Sequence, residues 1–286
     1  MINEPRIYRR SPVQFILVMG LLVIFGITIL RTLPRSDYIV LIPFAVILVI
    51  AFLSALYTMI QKTTISDDGI STQTFLGEKS LRWGEISRIS GRGHGIKLHN
   101  FDGDMTVAPS SQLPGYEEVV EWIGVKRPDL FNPLEHAEMK RGWHVLSLLV
   151  MFFVFSVAAL LASGILPFTE SQTQTPVFMP LFIIIVIAVV FFGITLSLPQ
   201  SLTIEGRSIV VKYLFREKTL LADEIESVDF RYTQSRNGKN YFILLTRKDK
   251  KTMRISGLGL GLPIVYLVLK NWHGKNSAIG LTTQRN

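Results

Sequence analysis

Two glycine-rich stretches, five histidines and a run of basic residues are the parts of this 286-residue chain whose types and spacing could do chemistry. SGRGHG, Ser90 to Gly95, has the glycine content of a phosphate loop, but a Walker loop ends in Lys followed by Ser or Thr and opens a helix. Here IKLHN follows, a strand pattern, so a plain loop is expected. SGLGLGLP, Ser256 to Pro263, lies between a strand pattern and a helical one, with proline near the first turn, where free N–H groups can hold an anion. It lacks the spacing of a dinucleotide fingerprint and a βαβ setting, and reads as a strand-to-helix connection. His94, His99, His136, His144 and His273 are scattered, and no pair shows the i, i+4 spacing with an intervening Glu of a helical zinc site. No serine lies in G-x-S-x-G. The chain has no cysteine, which removes disulfides, thiolate ligands, iron–sulfur clusters and a thiol nucleophile. No catalytic residue, metal or cofactor is therefore expected, and the chain reads as non-enzymatic.

The basic residues carry more information. The formal net charge is +8; residues 200–286 hold 15 Lys and Arg against 7 Asp and Glu, whereas residues 61–141 hold 10 against 12. The excess belongs to the second segment. Its densest run comprises Arg231, Arg236, Lys239, Arg247, Lys248, Lys250, Lys251 and Arg254. These alternate with apolar residues in two strand patterns, which puts the charges at hairpin ends and on one face. An anionic leaflet rewards each basic residue held near it by about 1 kcal/mol, so these eight are the candidate lipid-surface residues. Nucleic acid is not expected, because a basic groove studded with aromatic residues is missing.

Positioning elements follow from hydropathy. With 48% hydrophobic residues, 18% charged residues and a mean hydropathy of +0.35, the composition belongs to the membrane class. Val13 to Leu30, Ile39 to Ile60, Val145 to Phe168 and Val177 to Leu198 contain no Asp, Glu, Lys or Arg. Each is long enough to cross a hydrocarbon core of ~30 Å as a helix. Four transmembrane helices are thus predicted, the first a retained anchor rather than a signal peptide. Spans empty of ionisable side chains lack the markers of a pump. Lys and Arg flank the spans at both termini and in the middle segment, and the loop from Thr169 to Pro176 has neither. That pattern predicts a multi-pass protein of the inner (cytoplasmic) membrane with both termini cytoplasmic, against the opposing vote of Arg31 and Arg35.

The chain also repeats itself. FLGEKSLRWGEISRI, Phe75 to Ile89, returns as LFREKTLLADEIESV, Leu214 to Val228, so that Glu78, Lys79, Leu81, Glu85 and Ile86 recur as Glu217, Lys218, Leu220, Glu224 and Ile225 at a constant offset of 139. The phrase predicts a strand, a tight turn and a second strand, with Leu81/Leu220 and Ile86/Ile225 inward and Glu85/Glu224 near the turn. In each copy short strand patterns precede one amphipathic helix: LPGYEEVVEWIGV in the first, about Leu262 to Trp272 in the second.

The pattern T-I-x-x-x-G-I (Thr64 to Ile70), followed by the phrase ending Glu85-Ile86-Ser87-Arg88-Ile89, resembles the bacterial pleckstrin-homology-like (PH-like) domains of membrane proteins. Leu81-Arg82-Trp83-Gly84-Glu85-Ile86 is close to that family's usual phrase; the second copy, Leu220 to Ile225, lacks the Trp. The resemblance implies partly open barrels with a C-terminal helix and implies no reaction. The expected fold class is a membrane α-helical bundle of four transmembrane helices plus two small α+β PH-like barrels. The expected domains are an N-terminal cytoplasmic segment 1–12, a transmembrane hairpin 13–60, a first PH-like domain 61–142, a second hairpin 143–199, a second PH-like domain 200–275 and a tail 276–286. The expected role is membrane-proximal binding or scaffolding without catalysis, the second domain turning a basic face to anionic phospholipid; partners would be the membrane and an unidentified membrane or cytoplasmic protein. The rival expectation is a lipid or small-molecule sensor or carrier with a pocket between barrels or helices.

Overall fold

The computed structural model describes residues 4–10, 61–75, 77–141, 198–235 and 238–283, together with scattered positions between 20 and 60 and between 147 and 193. Two compact units form, one from Met1–Ser90 with Gly95–Leu130, the other from Gly91–His94 with Phe131–Asn286.

In the first unit, β1 (Arg6–Arg9), β2 (Lys62–Ile65), β3 (Gly69–Thr74) and β4 (Gly77–Arg82) make an antiparallel sheet in that order. A second sheet follows from β5 (Ile86–Ser90), β6 (Lys97–Asn100) and β7 (Thr106–Val107), and then helix α1 (Tyr116–Lys126). Alternation explains the strands: Thr63, Ile65, Ile70, Thr72 and Leu81 are buried while Thr64 and Ser71 are half-buried on the other face. The β2–β3 turn needs Gly69, because a Cβ there would stand 2.3 Å from the Leu81 carbonyl oxygen. In α1, Tyr116, Val119, Val120 and Ile123 are fully buried at i, i+3, i+4 and i+7; Trp122 is half-buried, with the Arg6 guanidinium 5.5 Å from its ring centre.

The second unit repeats the plan. β8 (Glu138–Lys140), β9 (Ser201–Glu205), β10 (Ser208–Lys212) and β11 (Glu217–Leu221) form one antiparallel sheet, and β12 (Ile225–Ser235), β13 (Gly238–Arg247) and β14 (Thr252–Ile255) the other. Helix α2 (Leu262–Thr283) closes the unit and runs well past the predicted end at Trp272. Both copies shift register at the same place, between Ile86 and Arg88 and between Ile225 and Ser227, a bulge at the start of the second sheet.

Each helix is fastened to its unit at equivalent points by different side chains. Arg127, just after α1, donates to the carbonyls of Trp83, at 2.5 Å, and Ile86, while Lys126 meets Asp67 at 2.7 Å. In α2, Trp272 Nε1 donates to the Gly206 carbonyl at 2.7 Å and His273 Nε2 lies 3.0 Å from the Ile225 carbonyl oxygen. Gly206 and Ile225 occupy the places of Asp67 and Ile86 at the offset of 139.

Three expectations are corrected. Among the described residues no helix is long and apolar enough to cross a membrane, and the architecture is four antiparallel sheets rather than a four-helix membrane bundle. The multi-pass inner-membrane placement with cytoplasmic termini, and the transmembrane label itself, are not supported. The physical reason is that hydropathy registers apolar content, whereas a span needs one uninterrupted apolar helix; α1 has 11 residues, and α2 is apolar only over its first turns, the remainder, KNWHGKNSAIGLTT, being largely polar. The four charge-free windows themselves lie largely outside the described residues. Strands β1 and β8 were not read from the sequence: each stands before an apolar window and pairs with the strand after it, Arg9 opposite Lys62 and Lys140 opposite Ser201.

Candidate binding surfaces

The eight basic residues do not share one face. Arg236 lies outside the described residues. Arg247, Lys248, Lys250 and Lys251 cluster at the β13–β14 turn, where Lys250 is held with a positive φ of 65°. There they meet acidic residues: Arg247 stands 3.6 Å from Glu224 and 3.7 Å from Asp249, Lys250 is 3.2 Å from Glu226, and Lys251 is 3.2 Å from Asp249. Three carboxylates thus offset most of the charge of four cations, and the turn is a local ion-pair network.

The other three sit on the three-stranded sheet, Arg231 on β12, Lys239 on β13 and Arg254 on β14, and rings back Lys239 and Arg254. Strand pairing places Arg231 opposite Phe242 and Leu244 opposite Arg254, so these share one side of the sheet. The Arg254 guanidinium lies 3.9 Å from the Phe242 ring centre; among the described residues it has no carboxylate within ion-pairing distance. Arg231 is 3.8 Å from Asp229 and largely exposed. Lys239 stands 4.1 Å from the ring centre of Tyr232 and 5.9 Å from that of Tyr241, near the hairpin end and, by strand alternation, on the opposite side of the sheet from Arg231 and Arg254. Along a strand, residues 239 and 247 are separated by about 26 Å at ~3.3 Å per residue, so Lys239 is remote from the turn group, whereas Arg254 differs from the turn cations in its partner, a ring rather than a carboxylate.

The repeated phrase forms β4, a 3-10 turn and β5 in the first unit, and β11, a 3-10 turn and β12 in the second. Leu81, Ile86, Leu220 and Ile225 are all buried. Glu85 folds back so that its carboxylate accepts from the Arg82 backbone N–H at 3.0 Å, whereas Glu224 turns to Arg247. Lys79 and Glu78 are exposed on β4, and Lys218 and Glu217 lie in the matching places on β11, where Glu217 pairs with Lys212 at 3.1 Å.

The second glycine stretch, before α2, is not an anion loop. The first N–H of α2, at Leu262, donates to the Gly93 carbonyl at 2.7 Å, Pro263 has none, and the N–H groups of Ile264 and Val265 reach the Gly261 carbonyl at 2.9 and 3.2 Å. The donors that would hold an anion are taken. Among the described residues no group of three His, Asp or Glu side chains could hold a metal ion, and His144 lies outside them. One cluster escaped sequence reasoning. His99 Nε2 is 2.7 Å from Ser90 Oγ and its Nδ1 is 2.9 Å from Thr106 Oγ1, on three neighbouring strands. Burial, helped by the nearby charges of Arg88 and Lys97, holds its pKa below the ordinary imidazole value, and burial lowers that of His94 as well. The orienting group on Nδ1 is a hydroxyl rather than a carboxylate, so it supplies no negative charge to stabilise an imidazolium.

No family model matches the chain, and no curated protein is significantly similar to it.

Proposed function

We propose that the chain is a non-catalytic binding module built by duplication, whose second unit rests on anionic lipid through Arg231 and Arg254, which share one side of its three-stranded sheet. The observation that carries this reading is the stacking of Arg254 on Phe242 beside Arg231. An arginine stacked on a ring is held in place while its remaining N–H donors stay available to phosphate oxygens. The β10–β11 turn supports the same reading. Leu214 and Phe215 are exposed there, the latter at 78%, beside Arg216, whose guanidinium lies 4.6 Å from the Tyr213 ring centre. Apolar side chains at a turn tip flanked by cations suit a lipid headgroup layer.

Vesicle flotation of the purified full chain tests it. Binding to phosphatidylglycerol vesicles should exceed binding to phosphatidylcholine vesicles and should fall as salt is raised, since exposed charges are screened over about 10 Å at 0.1 M. Equal binding to the two vesicle types, insensitive to salt, would remove the proposal.

A further inference from the structure

We propose that the first unit holds a small phosphate ester in an open cup of about 330 Å³ on the core-facing side of its four-stranded sheet, and that the second copy has lost this site. The inference concerns the other unit from the lipid contact and stands independently of it.

A single cross-strand row carries the argument. Tyr8 lies opposite Thr63, Thr63 opposite Thr72, and Thr72 opposite Lys79. Thr63 and Thr72 are 1% and 7% exposed and are the only buried polar side chains among the described residues outside the aromatic ones. Both line the cup, and no protein group among the described residues hydrogen-bonds either hydroxyl. The buried Tyr8 hydroxyl also has no partner there. Of the three hydroxyls only that of Tyr8 is sealed off without a partner, while the two threonines sit on the wall of the cup; polar groups on the core side of a sheet disfavour a fold unless something bonds them, so this row calls for a reason outside the fold itself.

The duplicate supplies the control. In the second unit the corresponding row is Met139, Leu202, Val211 and Lys218, and Met139, Leu202 and Val211 are buried. The same sheet therefore forms with an apolar row, and the fold does not need the hydroxyls. What the first copy holds in its place is a set of donors: Thr63, Thr72 and Ser110 offer hydroxyls, and Lys62 and Lys79 bring ammonium groups to the rim. Neither lysine has an ion-pair partner among the described residues, and Glu78 is the one acidic lining residue. Hydroxyls and ammonium groups approaching from several directions suit a tetrahedral dianion, whose oxygens accept many hydrogen bonds. The volume sits at the small end of ligand pockets, which favours a compact ester.

Calorimetric titration with glycerol 3-phosphate, on the full chain and on a Thr63→Leu/Thr72→Val variant, tests the proposal. The variant installs the residues that already pack in the second copy, and a thermal melt no lower than wild type confirms that it folds. Wild type should show saturable binding, weakened about tenfold or more in the double variant and in Lys79→Met, the loss expected of charge-assisted hydrogen bonds. Phosphatidylglycerol vesicles form the second arm. If glycerol 3-phosphate is inert but vesicle binding drops in the double variant, the phosphate ester stands and its source is a lipid headgroup. Equal binding of both probes to wild type and double variant, or saturable binding of neither, overturns the proposal.

Discussion

Arg127 fastens α1 to the rest of its unit. Its guanidinium serves two backbone carbonyls and a two-point pair with Asp129, at 2.9 and 2.6 Å, which raises its own pKa and holds the Asp129 carboxyl below its usual value. Arg127→Ala should destabilise the first unit by about 2 kcal/mol, because two buried carbonyls lose a charged donor, and Arg127→Lys should recover only part, since one ammonium cannot reproduce the fork. A denaturant melt of each variant checks this. Nothing in the sequence marks Arg127, because its partners lie 41 and 44 residues away. His99 gives a pH signature at the same scale. Its folded pKa is below the ordinary value near 6.5, so the unfolded chain binds more protons between those two values and stability falls as pH drops through that window. His99→Gln should flatten stability against pH there; an unchanged slope would contradict the assignment.

The strands and helices show which local signals suffice. Asp67-Asp68-Gly69 between Thr-Ile and Ile-Ser patterns is a local turn signal that matches the β2–β3 hairpin, and YFILLTR carries the alternating burial of β13. The fit around that glycine is tight enough to test: Gly69→Ala should cost about 2 kcal/mol or more, since its Cβ would overlap the Leu81 carbonyl and the sheet must shift. A melt indistinguishable from wild type would mean that β4 lies farther off. By contrast β1 and β8, with four and three residues, are too short for any periodicity to stand out, and their partners come more than 50 residues later in sequence. The missing Trp of the second copy was legible, but its consequence was not. Ala222 fills that place while Trp272, arriving from α2, donates to the turn carbonyl at Gly206, much as Trp83 Nε1 donates to Ser66 at 3.0 Å. Such replacements depend on tertiary packing and leave no local trace.

At the scale of the molecule, the duplication was readable from five matched residues, and each unit repeats a sheet of four strands, a sheet of three and a closing helix. Divergence between the copies then separates their surfaces. Hydroxyls line the inner row of the first, and the second carries the basic excess. The charge count located that excess correctly, but it could not separate cations paired with Glu224, Glu226 and Asp249 from those stacked on rings, because pairing is decided by the turn geometry. The central claim is that the sheet cations Arg231 and Arg254, not the turn cations, meet anionic lipid. The most direct measurement is flotation with phosphatidylglycerol vesicles of two charge-reversed forms, Arg231→Glu/Arg254→Glu and Lys248→Glu/Lys250→Glu/Lys251→Glu. At about 1 kcal/mol per basic residue near the surface, the sheet form should lose roughly thirtyfold or more in affinity while the turn form loses much less. Equal losses, or a larger loss from the turn form, would contradict it.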